Sequence, residues 1–189
     1  MSPRRDHDED LVRYGALRTP WGRLWAARSD EGVVAVALGA EPVGRLAAEV
    51  ERRRPERLVH DAAAVAPLLA DLAAFLAGRR DALERWSLDT TGLSPFRVQV
   101  YESARKIPYG TRIAYRDLAK QFASARYAHA VGAALAENPY RLLVPDHRVI
   151  LARGKAGGFR MGRGWKARLL ALESGQTALE WANGEGRRG

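Results

Sequence analysis

Asn138-Pro139 and Pro145 bracket the stretch that most restricts how this chain can fold. Proline has no backbone N–H and its ring clashes with the preceding turn, so a helix reaching Asn138 must stop there. Asn138 is suited to a left-handed cap at that stop. Leu142-Leu143-Val144 reads as a buried apolar approach, which delivers three ionisable side chains in a row, Asp146-His147-Arg148, between Pro145 and Val149.

Upstream of this stretch the chain changes character twice. Leu11–Arg18, Arg23–Ser29 and Gly32–Leu38 read as three strands of a β-meander, joined by the turn sequences Thr19-Pro20-Trp21-Gly22 and Ser29-Asp30-Glu31-Gly32. A helix is expected from Pro42 to Arg53, with Pro42 as its first residue. A second is expected from Asp61 to Ala77, where Val65, Leu68, Leu69, Leu72, Phe75 and Leu76 recur at helical spacing before Gly78. Trp86 to Leu88 adds a candidate strand, and Trp21, Trp25 and Trp86 read as core or turn packing.

Asp89 to Pro95 reads as a linker, with Ser94 capping a helix that starts at Pro95 and ends before Pro108. Two short helices follow, Tyr115–Phe122 and one running from Ser124 or Ala125 to Glu137; a short turn between them matches a helix-turn-helix unit. The second is rich in alanine, which suits close packing on another helix or close approach to a DNA groove, and periodicity does not choose between them. Leu151 to Gly164 reads as a loop rich in glycine and cations, and Trp165–Glu173 as the last firm helix, closed by Gly175. The expected organisation is a disordered start over 1–10, an α/β domain over 11–90, a mostly α domain with a winged-helix-like helix-turn-helix over 94–175, and a flexible tail over 176–189.

Charge separates the two halves. Residues 1–92 carry 14 basic and 15 acidic side chains, residues 93–189 carry 17 and 7. The basic half suits a polyanionic partner. The chain contains no cysteine, which excludes disulfides, thiolate metal sites and thiol nucleophiles. No apolar run approaches the ~18 residues of a membrane span. A cytoplasmic location and a monomer are expected, with no membrane partner, no cofactor and no metal.

Several motifs occur in a fixed order: Ile107-Pro108-Tyr109-Gly110, Tyr115 with Leu118-Ala119, Ala130-Val131-Gly132, Asn138-Pro139, Pro145-x-His147-Arg148-Val149-Ile150, Gly157-Gly158, and Lys166 with Leu169-Leu170-x-x-Glu173. The ordered set resembles the O6-alkylguanine-DNA alkyltransferase family, whose signature reads Asn-Pro, a spacer, then Pro-Cys-His-Arg-Val. The resemblance covers roughly Ser94 to Gly175 and, more loosely, Leu11 to Leu88.

The resemblance implies a set of roles. In the family a cysteine takes the alkyl group from O6 of a flipped-out guanine, the next histidine activates it through water, and a glutamate orients the histidine. By position these are Asp146, in place of the cysteine, His147 and Glu173. Duplex DNA, alkylated or not, would meet Tyr115, Arg126, His129, Ala130, Gly132, Asn138, Arg148, Arg153 and Lys155. The base pocket would be lined by Pro145, Val149, Phe159, Arg160 and Met161. His129 stands where the family has the arginine that fills the gap left by the flipped base; Phe159 and Met161 also depart from its pattern. Alkyltransferase-like proteins with a similar loss of cysteine bind alkylated DNA and flag it for excision repair, which adds repair proteins as an implied partner class.

Four readings follow: a DNA-binding protein that recognises alkylated or flipped bases without alkyl transfer, a dealkylase using Asp146 and His147, a protein-interaction module on an inactive enzyme, and an inactivated form of a methylated-DNA–protein-cysteine methyltransferase. An ionised Asp146 only accepts hydrogen bonds. It would repel guanine O6 and favour bases that present donors.

Overall fold

The computed structural model describes residues 11–39, 43–53, 58–122, 124–151 and 163–175. They divide into two compact units. One takes the described residues up to Ser94 together with Pro139–Leu143; the other takes Pro95–Asn138 and the described residues from Val144 onward. The chain therefore returns to the first unit for five residues just before the Pro145 signature.

The first unit is built on three strands, β1 (Val12–Thr19), β2 (Gly22–Arg28) and β3 (Val33–Gly39), in the expected antiparallel meander. Thr19 closes the first turn: its Oγ1 donates to the Gly22 carbonyl at 2.8 Å and accepts from the Trp21 amide at 3.1 Å. Helix α1 (Val43–Arg53) packs on β2 and β3, and α2 (Ala62–Leu76) packs on β1 and β2. Pro42, expected as the first helical residue, lies outside the described residues. Every residue from Val33 to Leu38 is buried, which explains why β3 reads as a continuous apolar run rather than an alternating one. Gly15 on β1 lets α2 come close, since a Cβ there would lie 2.5 Å from the Val65 side chain. Asp61 caps α2 by accepting from the Ala64 amide at 3.0 Å.

Two features of this unit differ from the sequence reading. A fourth strand, β4 (Leu58–His60), pairs parallel to β1. At three residues it is too short to show a period. Trp86–Leu88 does not form a strand: Leu88 makes only an isolated bridge to Val33, and the Trp86 indole N–H donates to Asp71 at 3.0 Å. Asp71, on α2, also holds Arg79 and Arg85, so this segment is organised by one carboxylate rather than by sheet pairing.

The second unit begins with α3 (Pro95–Arg105), whose buried Tyr101 hydroxyl donates to the Ala134 carbonyl at 3.0 Å. The two short helices are α4 (Tyr115–Lys120) and α5 (Ala128–Ala136), joined through a 3-10 turn at Ala125–Tyr127. Leu118 and Ala119 of α4 and Val131, Ala134 and Leu135 of α5 are buried. A two-residue parallel pairing, β5 (Ile113–Ala114) with β6 (Val149–Ile150), brings the start of α4 beside the signature. The last element is α6 (Arg163–Glu173).

Asn138 does not take the left-handed cap expected of it; the one non-glycine residue with positive φ among those described is Leu142, at 73°. Asn138 instead is buried and its side-chain amide donates to the Val144 carbonyl at 3.1 Å, bridging the start and end of the loop. That bond needs the side chain directed across the loop, and the turn in the chain falls to Leu142.

Candidate functional site

Asp146-His147-Arg148 forms a single 3-10 turn, and all three side chains are buried. Backbone bonds shape it: the Asp146 amide donates to the Val144 carbonyl at 2.8 Å and the Arg148 amide to the Pro145 carbonyl at 2.9 Å. Burial of consecutive ionisable groups demands partners, and α6 supplies them. His147 Nε2 lies 2.7 Å from Oε1 of Glu173. Arg148 Nε meets both oxygens of Glu173 at 3.0 Å, and its Nη2 donates to Oε1 at 2.9 Å. Glu173 Oε2 also accepts from the Gly110 amide at 3.0 Å.

This clustering sets the charge of Glu173. Burial pushes its carboxyl upward, but hydrogen bonds from His147 and Arg148, with their positive charge, outweigh burial and hold it at about 2. At neutral pH Glu173 is therefore an acceptor only, so His147 Nε2 carries the hydrogen of their bond. The other ring nitrogen is Nδ1. That nitrogen is buried without a hydrogen-bond partner among the described residues.

A second cluster involves Asp146. Lys166 of α6 is fully buried, donates to the Val149 carbonyl at 2.6 Å, and lies with Nζ 5.7 Å from the centre of the Tyr115 ring. Burial draws the Lys166 ammonium down to about 8, and the negative charge of Asp146 opposes that fall. Burial, then the same charge, raises the Tyr115 hydroxyl. Asp146, Tyr115 and Lys166 thus form one electrostatic group. Lys166 stands out in sequence only through its place in the motif, because a lone lysine in an amphipathic helix reads as a solvated one.

Arg148, expected among the DNA contacts, is committed elsewhere. Its guanidinium is bound to Glu173, its Nη1 donates to the Ile107 carbonyl, and it stacks over Tyr109, 5.6 Å from the ring centre. It buttresses Glu173 from inside the unit. Asn138 is likewise an internal brace. Pro145 and Val149 are buried beside the turn.

The other expected contacts lie on α5 and its lead-in. Arg126, His129, Ala133 and Ala136 form an exposed stripe, with Ala130 and Gly132 half-buried next to it. The alanines are therefore split: Ala134 faces the core, while Ala133 and Ala136 face solvent. A Cβ on Gly132 would meet only the Tyr115 ring, at an ordinary 3.8 Å, so packing inside the unit does not require glycine there. Arg153, Lys155, Phe159, Arg160 and Met161 lie outside the described residues. Among the described residues no group of His, Asp and Glu is placed to hold a metal ion, and no helix is long and apolar enough to cross a membrane.

Comparison with known proteins adds to this geometry. A family model described as 6-O-methylguanine DNA methyltransferase, DNA binding domain, matches residues 95–175. A protein of Thermus thermophilus named DNA base-flipping protein is 38% identical over 157 residues, which cover 83% of this chain and 97% of that one. A methylated-DNA–protein-cysteine methyltransferase of Metallosphaera sedula is 29% identical, covering 86% of this chain and 94% of the relative. Among solved structures, that of Mycobacterium tuberculosis OGT in complex with DNA has a TM-score of 0.70 at 29% identity, covering 88% of this chain and 96% of that one. With the ordered motifs, the buried His147–Glu173 pair and a relative matched over nearly its whole length, the chain belongs to the O6-alkylguanine-DNA alkyltransferase family.

Proposed function

We propose that this protein binds duplex DNA and holds a base rotated out of the helix, without accepting an alkyl group itself. The observation that carries the reading is a contrast. His147 and Glu173, at the positions of the histidine and glutamate that serve the acceptor in this family, lie 2.7 Å apart, yet the chain contains no cysteine. Asp146, in the turn with His147, takes the acceptor's position in the signature. A carboxylate is a harder and weaker nucleophile toward an alkyl carbon than a thiolate, so the fold keeps the means to bind a base and lacks the means to dealkylate it.

The DNA contacts in this reading come from the exposed α5 stripe, with Arg126 and His129 at its N-terminal end and small residues along the rest. Small side chains let a helix backbone lie close to a groove, and the basic charge of the second half draws the polyanion. Weak sequence preference follows where readout is confined to the degenerate minor-groove edge. Arg153 and Lys155 add charge to the same reading. The protein would act as a monomer in the cytoplasm.

Two measurements test it. After incubation with duplex carrying O6-methylguanine, the intact mass should be unchanged; one stable methyl group on Asp146, or multiple-turnover loss of methyl from the DNA, would make it an enzyme. Binding should weaken with salt: if about five phosphates are neutralised, log K falls with log salt at a slope of roughly −4 to −5. Salt-independent binding, or no binding, would leave only a protein-interaction role.

A further inference from the structure

We propose that the open face of the first unit's sheet binds single-stranded DNA, with bases stacked on Tyr14, Trp25 and His60 and phosphates held by Arg18 and Arg23. The β1–β2 hairpin carries two cross-strand arginine pairs, Arg13 opposite Arg28 and Arg18 opposite Arg23. Like charges directly opposite one another destabilise a sheet. The first pair is relieved: Arg13 Nη1 donates to Asp30 at 3.0 Å, and Arg28 lies over the Trp86 ring. Among the described residues the second pair meets no carboxylate, and both of its members are exposed. Two cations held side by side at the end of a hairpin suit a phosphate, which removes the repulsion between them and accepts the hydrogen bonds of both guanidiniums.

The same face carries rings. Alternate residues of a strand share a face, so Tyr14, Ala16 and Arg18 of β1 line up beside Arg23 and Trp25 of β2. His60 of β4 stands opposite Tyr14. The Tyr14 ring lies 5.3 Å from His60, edge-on, and 6.5 Å from Trp25, while the Arg23 guanidinium lies 5.4 Å over Trp25. Helix α1 covers the neighbouring part of this face, where Leu46 and Val50 pack with the buried alanines of β2 and β3. Beyond it Ala16 is exposed and forms a low floor between the rings and the two arginines. Tyr14 and Trp25 are half-buried and His60 is exposed, so packing fixes the rings without hiding them.

Aromatic faces stack bases of any sequence and neighbouring cations track the backbone, which is the chemistry of single-strand binding. Bases inside a duplex are stacked on one another and present no free face, so this surface favours the single strand. DNA is the strand chosen because the chain belongs to a DNA-alkyltransferase family. The surface lies wholly within the first unit and does not rest on base flipping by the second.

The test uses the full chain and two labelled probes read by anisotropy: an oligothymidylate of about ten nucleotides, which cannot self-pair, and an undamaged duplex. Arg18→Gln/Arg23→Gln should weaken single-strand binding about tenfold and make its salt slope shallower by about 1.4, two phosphates at about 0.7 each, with duplex affinity changed less than about twofold. With the like-charge pair gone, the variant should unfold at the same or a higher denaturant concentration. Trp25→Leu should weaken single-strand binding about tenfold and leave the salt slope unchanged. If Trp25→Leu does not fold, the arginine variant decides alone. Unchanged single-strand affinity in that variant overturns the proposal, as does an equal fall for both probes, which would be a general charge effect. A wild-type chain that binds the duplex but not the single strand also overturns it, and leaves the proposed function standing.

Discussion

Arg53 in the first unit and Arg148 in the second are each buried in a polar cluster, and the two clusters are closed in different ways. In the first unit Arg53 donates to the Asp89 carbonyl and the Tyr140 hydroxyl, both at 2.9 Å, while Tyr140 donates to the same carbonyl. The Asp89 carboxylate accepts from the Ser29 hydroxyl at 2.6 Å and the Thr91 amide at 3.0 Å. These bonds join the turn after β2, the end of α1, the segment after α2 and the returning residues Pro139–Leu143. In the second unit Arg148 meets a full carboxylate, and that carboxylate also serves His147 and a backbone amide.

Among the described residues each cluster has one buried nitrogen without a hydrogen-bond partner, Arg53 Nε in the first and His147 Nδ1 in the second. The two are not equivalent. Arg53 Nε is one N–H of a cation whose other two nitrogens are bonded, and it is fixed as a donor. His147 Nδ1 is the whole second function of its ring, whose other nitrogen is engaged by Glu173. The first cluster braces a loop. The second leaves one face of a histidine ring without a hydrogen-bond partner among the described residues.

The comparison breaks most readily at Glu173. Glu173→Gln leaves Arg148 as a buried cation with no carboxylate, and it should cost about 3–5 kcal/mol in denaturant unfolding. A cost below about 1 kcal/mol would mean that water already reaches the cluster. The same residue predicts acid behaviour. Because its folded value lies near 2, below the 4.5 of the free side chain, its contribution is fully present above 4.5 and disappears as pH falls through about 2. Stability measured over that window should fall in the wild type and fall less in Glu173→Gln.

Tyr140→Phe attacks the other cluster and should be milder, about 1–3 kcal/mol, since it removes two hydrogen bonds, one of them from the Arg53 cation, but no ionised partner. It should leave DNA affinity unchanged; a parallel loss of affinity would merge the two clusters into one functional device. Lys166 gives a pH effect of the same sign in a higher window. Its ammonium is held at about 8 against an ordinary 10.5, so the unfolded chain binds more protons between those values and stability should rise with pH across them. Lys166→Met should flatten that rise. The smallest change belongs to the exposed α5 stripe: His129→Arg adds a fixed cation, and each additional phosphate neutralised should steepen the salt slope by about 0.9 with little effect on stability.

The sequence was most informative where a signal repeats or punctuates. Alternation and turn chemistry predict the meander, helical spacing predicts α2 with Asp61 at its cap, and Pro139 predicts the end of the α5 segment. The ordered motifs predict the family, and with it the pairing of His147 with Glu173, separated by 25 intervening positions. Short elements escaped for a physical reason. β4, β5 and β6 are two or three residues long and are held by partners distant in sequence, so no local period announces them. The left-handed turn expected at Asn138 is taken by Leu142, and the Asn138 side chain reaches across the loop to Val144 instead.

By itself the sequence determined which groups are available: no thiol, an aspartate in the signature, a histidine and a glutamate at family spacing, and a basic second half. Only the tertiary structure decided how those groups are used. Whether an arginine is exposed or buttresses a glutamate, whether an alanine faces a core or solvent, and whether a lysine lies in solvent or in the electrostatic group of Asp146 all depend on which backbone packs against it. Burial and distance set protonation and hydrogen-bond partners, and neither quantity exists until the chain has folded.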